Sequence, residues 1–322
     1  MRFCTHPGTV AATVTLGLAG VAAPPAAADP TDFPVLVGVG SDTTHDVMSG
    51  IARRTGGTPL LLGSWAATGT SPIKTRATAC SLPRPHGTGT GIGALHRALD
   101  LDSGCVDFVR SPRGPVDRST VRLTWVPFAG DATAVAVRSD SPVRDGLDLT
   151  THQLKSIYSC TTTSINGVRL TPLLPQYESG RRELFLRQLG LPEAEVGSCV
   201  GLAKENDGRA LDSSGDIVPY SVAQWIAQTS EVVHDIHGVA TLGRTHGVAP
   251  TVRGRLNTAH PYFHHVYNVV PTAKLDDPVF KAAFAGSASK VCAQTSTIET
   301  YGFGTLGSGC GGTSDPALKG DR

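Results

Sequence analysis

Several segments of this chain repeat one pattern: an apolar run, a turn of small polar residues, then residues at helical spacing. Pro34 to Gly38 (PVLVG) has the character of a buried parallel strand. Gly40-Ser41-Asp42-Thr43-Thr44 follows, and His45 to Arg53 carries Val47, Met48 and Ile51 at helical spacing. The theme recurs where Gly87 to Gly91 leads into Ile92, Leu95 and Leu99. It recurs again where Thr171 to Pro175 passes through Glu178-Ser179-Gly180-Arg181 into a helix closed by Gly190. Ile217 to Tyr220, followed by Ser221 to Thr229, repeats it once more. Alternating strands and helices predict an α/β fold with parallel sheets covered by helices, and the restart after Ala136 predicts two lobes. Between these units, Val106 to Arg110 reads as a strand and 123–137 as two strands around a Gly130-Asp131 turn. Thr150-Thr151 caps a helix through Leu154, Ile157 and Tyr158. Val266 to Val270 reads as a late strand, before a helix near Pro278 to Phe284.

The N-terminus and the cysteines speak to compartment. Arg2 and His6 precede an apolar run from Thr9 to Val21, and Ala26-Ala27-Ala28 supplies an A-x-A end. That is the pattern of a cleavable secretory signal over residues 1–28, shorter than a membrane span. Cys4 would leave with it, and no lipoprotein cysteine stands at the cleavage point. Six cysteines remain, an even number that implies disulfides in an exported chain. They lack the C-x-x-C spacing of zinc knuckles or redox pairs. Pairing neighbours gives Cys80–Cys105, Cys160–Cys199 and Cys292–Cys310. The net charge of +1, from 28 basic and 27 acidic residues, provides no field for nucleic acid or an anionic membrane.

Four turns share one chemistry: 41–44, 87–89, 111–113 and 179–181. Where a strand meets a helix, such a turn presents unpaired N–H groups, the positive helix end and donating hydroxyls. Converging on one cleft, these turns would wrap a small anion, with Arg110, Arg113, Arg181 or Arg182 adding a guanidinium fork.

The motifs VGSDTT (39–44), RPHGTGTGI (84–92) and DFVRSPRGP (107–115) resemble the first-lobe ligand loops of phosphate ABC-transporter substrate-binding proteins, which have the type 2 periplasmic-binding-protein-like fold. VPFAGDA (126–132) resembles their first crossover. LTTHQLKSIY (149–158) and PQYESGRRELF (175–185) resemble second-lobe segments. The resemblance implies two lobes closing on a ligand, with Ser41, Thr43, Thr44, Gly87, Thr88, Gly89, Arg110, Ser111, Ser179, Gly180 and Arg181 around it. It also implies a first lobe at 29–130, a second at 131–258, a return at 259–311 and a disordered tail at 312–322.

The implied function is extracellular capture of phosphate or a similar oxyanion without catalysis, by a monomer serving an ABC permease. Neither cofactor nor metal is expected. The chain departs from the family pattern at Pro112, Pro175, Glu178 and Arg181. Two other readings stay open: a surface or secreted protein that kept the scaffold but lost the anion site, and a secreted phosphoesterase-like hydrolase. The histidines at 234, 237, 260, 264 and 265 are candidates for packing or surface roles ahead of metal binding. The S-x-x-K matches at Ser71–Lys74 and Ser287–Lys290 lack their companion motifs.

Overall fold

Alternation of side chains along buried strands fixes the layers. The computed structural model describes Met1 and residues 29–322; the expected signal peptide otherwise falls outside the described residues. In strand β1 (Leu36–Gly40), Leu36 packs with one core cluster while Val37 and Val39 pack with another. The strand thus buries both faces, as a two-residue period demands. Helix α1 (His45–Thr55) covers the first face with Val47, Met48 and Ile51, joined by Phe280 and Phe284 of α6 (Pro278–Phe284) and Ile298 of α7 (Thr295–Thr300). Helix α2 (Thr88–Asp100) covers the other with Ile92, Leu95 and Ala98. Burying each such aliphatic side chain contributes roughly 1.5–3 kcal/mol.

Ten strands form one sheet. Besides β1 they are β2 (Leu62–Ser64), β3 (Phe108–Ser111), β4 (Leu123–Arg138), β5 (Thr171–Pro175), β6 (Gly201–Ala203), β7 (Asp216–Ser221), β8 (Ala240–Leu242), β9 (Phe263–Pro271) and β10 (Lys319–Gly320). The order is β6-β5-β7-β4-β9-β3-β1-β2, with β8 and β10 also paired to β4. Pairs β1–β2, β1–β3, β5–β6 and β5–β7 are parallel. The pairs made by β4 are antiparallel.

Two lobes result. In the first, β2, β1 and β3 meet the Leu123 end of β4 through β9. In the second, β5, β6 and β7 meet its Arg138 end. The second lobe packs α3 (Thr151–Tyr158) and α4 (Gly180–Leu189) on one face through Leu154, Ile157, Phe185 and Leu189. Helix α5 (Val222–Thr229) follows β7. Thr150 and Gln153 form a full capping box on α3, and Gly190 ends α4 in the left-handed region at φ 57°.

Two expectations are corrected. No turn interrupts β4 at Gly130-Asp131: its 16 residues run unbroken from one lobe into the other beside β9. A register shift between Val266 and Tyr267 of β9 adds a bulge there, which twists the paired strands where the lobes join. The tail is not disordered either. β10 pairs with Leu123 and Thr124, and the Arg322 carbonyl accepts hydrogen bonds from the Val116 and Asp117 backbones. The tail reads as disorder, but Lys319 and Gly320 pair with Thr124 and Leu123 of β4, and the Asp321 N–H donates to the Asp117 carbonyl.

The three cysteine pairs form as sequence proximity suggests. Their Cα–Cα separations are 5.3 Å for Cys80–Cys105, 6.0 Å for Cys160–Cys199 and 5.8 Å for Cys292–Cys310. Each closes a loop within its own lobe. No helix among the described residues is long and apolar enough to cross a membrane.

Candidate functional site

The loops after β1 and before α2, α4 and α5 meet at the boundary between the lobes. Ser179 is the N-cap of α4, its Oγ accepting from the Arg182 backbone N–H. The same hydroxyl donates to Glu205 Oε2 at 2.9 Å. Glu205 Oε1 accepts from the Asp42 backbone N–H at 3.3 Å, across the cleft. A buried carboxylate is therefore held by one donor from each lobe, near the N-terminal ends of α1 and α4.

Beside it, Arg181 lies fully buried against Asp131 of β4, with Nη2 at 2.7 Å from Oδ2. Arg181 also donates to Thr133 Oγ1 at 2.9 Å and, from the other lobe, to Thr43 Oγ1 at 3.3 Å. Asp131 further accepts from Ser221 Oγ at 2.7 Å and from the Ala223 backbone at 3.0 Å. Burial alone would push the Asp131 carboxyl up; Arg181, His264 and the Ser221 hydroxyl outweigh it and hold the group below the usual carboxylate range. For Glu205 the balance falls the other way. Burial and the neighbouring Asp42 carboxylate raise it, against Arg181 and its two hydrogen bonds. His264 lies 3.9 Å from Asp131, and burial pushes it down to about 4, so it is neutral at neutral pH.

Of the residues expected from sequence, Thr43, Ser179 and Arg181 converge directly. Ser41 supports the first loop, its Oγ accepting from the Thr43 N–H at 3.2 Å. The Thr44 and Thr88 hydroxyls and Nε of Arg181 are buried without a hydrogen-bond partner. Gly180 packs so tightly on Thr88 and Pro112 that a Cβ there would lie 2.4 Å from Thr88 Oγ1 and 2.7 Å from Pro112 Cδ. Gly87 and Gly89 approach Glu178 in the same way, and the Gly89 N–H donates to the Glu178 carbonyl at 3.2 Å. These contacts join the two lobes. Removing Cβ atoms is what lets the backbones approach this closely.

Arg110 and Ser111 do other work. The Arg110 guanidinium donates to the carbonyls of Ser41, Gly40 and Trp65 and to Ser64 Oγ, binding the loop after β1 from behind. Its position at a strand end looks like an anion fork, but the backbone carbonyls of that loop claim its donors. The Ser111 hydroxyl donates to the Arg113 carbonyl within its own turn. Arg113 pairs with Glu183 and Arg182 with Glu193. The Glu178 carboxylate points to the rim, 3.5 Å from Arg322.

Sequence reasoning missed Glu205, Asn206 and Gln224, and misread Asp131. Asn206 donates to Thr43 Oγ1 at 3.2 Å, and Gln224 to the Thr43 carbonyl at 2.7 Å. A cavity of about 180 Å3 is lined by Asp42, His45, Asp46, Gln224 and the two chain neighbours of Glu205, Lys204 and Asn206. Among the described residues no group of three His, Cys, Asp or Glu side chains could hold a metal ion.

No family model matches the sequence, and no curated protein matches it. Solved structures do match in fold. A protein from Clostridium perfringens described as a phosphate ABC transporter substrate-binding protein, solved with bound phosphate, superposes with a TM-score of 0.59 at 15% identity. The match covers 84% of this chain and 99% of that one. An ABC-type phosphate transport receptor from Vibrio cholerae gives a TM-score of 0.57 at 14% identity, over 84% of this chain and 100% of the other. The fold is thus the two-lobed, periplasmic-binding-protein-like α/β architecture.

Proposed function

We propose that the chain captures a small oxyanion outside the cell, phosphate being the first candidate, and delivers it unchanged to an ABC permease. The observation that carries this reading is the held carboxylate. Donors from both lobes, at the N-terminal ends of α1 and α4, already fix the oxygen atoms of Glu205 in the cleft. A site that holds a carboxylate this way has the donor geometry for a free tetrahedral oxyanion. The unpartnered Thr44 and Thr88 hydroxyls and Nε of Arg181 would supply further donors. The solved structures that share this fold are described as phosphate receptors, and this supports phosphate as the ligand to try first.

Closure in this reading is a hinge motion at β4 and β9, the two long strands that run between the lobes. The protein acts as a monomer. The candidate signal at 1–28 exports it, and the disulfides suit it to an oxidising compartment.

The test is a thermal-shift titration of the oxidised protein with phosphate, sulfate and molybdate. A ligand that binds only the folded state adds about 2.7 kcal/mol at a hundredfold excess over its dissociation constant. A saturable rise with one of them is expected, abolished in Ser179→Ala/Thr88→Val. A flat response to all three, or an undiminished rise in the double variant, would sink the reading.

A further inference from the structure

Glu205 is placed with more care than a surface loop requires. It stands in the segment joining β6 to the turn at Gly208–Ala210, and it is 1% exposed. The next residue, Asn206, adopts the left-handed region at φ 57°, uncommon for a residue other than glycine. Four hydrogen bonds hold it there. Its carbonyl accepts from Tyr220 Oη at 2.6 Å and from Gln228 Nε2 at 2.9 Å, its Oδ1 accepts from the Ser221 N–H, and its Nδ2 donates to Thr43. The peptide that carries Glu205 is therefore clamped to the second lobe, and its side chain is aimed at the cleft. Among the described ion pairs, none includes Glu205. Its oxygens are held by a hydroxyl and a backbone N–H, one from each lobe. Arg181 offsets its charge only from a distance, and a buried carboxylate with no direct ion pair is costly, so this placement needs a reason beyond packing.

We propose that Glu205 is an internal competing ligand: its carboxylate occupies the oxyanion donors and holds the lobes together, and an incoming oxyanion binds by displacing it. This rests on the receptor reading above. Tethering gives the carboxylate a high effective concentration at the site, so it competes with a free anion even though each of its contacts is individually modest. Its chain neighbours Lys204 and Asn206 line a cavity of about 180 Å3, so the segment that carries it borders open space. The resting protein is then self-liganded and closed. Ligand affinity is lowered by the work of moving Glu205, which sets a threshold concentration below which the protein stays empty.

Calorimetric titration of inorganic phosphate and sulfate into the full chain, Glu205→Gln and Glu205→Ala tests this, with small-angle scattering of each ligand-free protein. Glu205→Gln keeps the side-chain volume should the alanine variant fold poorly. The expected result is affinity at least tenfold tighter in both variants. Ligand-free Glu205→Ala should also show a larger radius of gyration than wild type, contracting when phosphate is added. Equal affinity and equal radius in wild type and variants would overturn the competing-ligand role and leave the receptor reading standing. Weaker binding in the variants would overturn it too, since Glu205 would then help to hold the ligand. Folded variants that bind neither anion would overturn the receptor reading, and this inference with it.

Discussion

Two buried carboxylates share one cleft and are treated in opposite ways. Asp131 faces a guanidinium, a hydroxyl and two backbone N–H groups, and its carboxyl is held below the usual range. Glu205 accepts from only a hydroxyl and a single N–H; burial and the Asp42 carboxylate raise its carboxyl despite the more distant Arg181. The Asp131 corner is a finished structural element that ties β4, α4 and α5 together around Arg181. At the Glu205 corner, by contrast, the carboxylate sits where donors were available but no cation touches it, Arg181 acting only from a distance. A charge that is fully paired belongs to the fold, and one that is held by donors alone can be exchanged for another anion.

The largest effect should come from breaking the finished corner. Asp131→Asn removes the direct ion-pair partner of the buried Arg181, and removing one partner of such a pair typically costs about 3–5 kcal/mol. Chemical denaturation should show a loss on that scale. A change below about 1 kcal/mol would mean that Thr133 and Thr43 suffice to hold the guanidinium, erasing the distinction between the corners.

The second test uses pH, because the two groups must act with opposite sign. Asp131 has a depressed carboxyl, so the stability it contributes is present above the unfolded value of 3.8 and is lost as pH falls through its folded value. Glu205 has a raised one. Its contribution is present below the unfolded value of 4.5 and is lost as pH rises through its folded value. Glu205→Gln should therefore gain on wild type as pH climbs above 4.5. The Asp131→Asn deficit should instead shrink towards acid pH. Stability measured from pH 3 to 8 on both variants reads the two difference curves directly, and slopes of the same sign would refute the assignment.

Much of the fold was legible in the sequence because its signals are local. The apolar run at 34–38, which forms β1 two residues later, the cap at Thr150-Thr151, the turn at 178–181 and the Gly190 stop depend on residues a few positions apart. The disulfides were legible because each closes a short loop. What escaped was whatever depends on distant partners. Asp131 beside Gly130 reads as a turn, but pairing with His264 of β9 makes it a strand residue, and Arg181 and Ser221, 50 and 90 residues away, hold its carboxylate. Lys204-Glu205-Asn206-Asp207 reads as a solvated loop, yet Glu205 meets Asp42 across 163 residues. Arg110 carries the signature of a ligand fork, but the loop it serves curls back within its reach. Propensity reports which residues can turn and which can cap; it does not report which carboxylate arrives at a given donor.

The smallest effect separates two serines that look alike. Ser179 and Ser221 are both N-caps, each accepting from a backbone N–H three residues on, and each donates its hydroxyl to a buried carboxylate. Loss of an N-cap hydroxyl costs about 1 kcal/mol in either helix. At Ser221 the change also strips a hydrogen bond from an ionised Asp131 locked in place by Arg181, worth about 1.5–3 kcal/mol because the acceptor is charged. At Ser179 the carboxylate released is Glu205, which has no direct ion pair and whose carboxyl is already raised by burial and Asp42. Ser221→Ala should therefore be the more destabilising by about 1 kcal/mol at neutral pH. The gap should close when each serine change is made in an Asp131→Asn background, since the Ser221 hydroxyl then has only a neutral amide to meet. Equal costs for the two serines would show that Glu205 is as firmly fixed as Asp131, and the cleft would hold two structural carboxylates rather than one structural and one exchangeable.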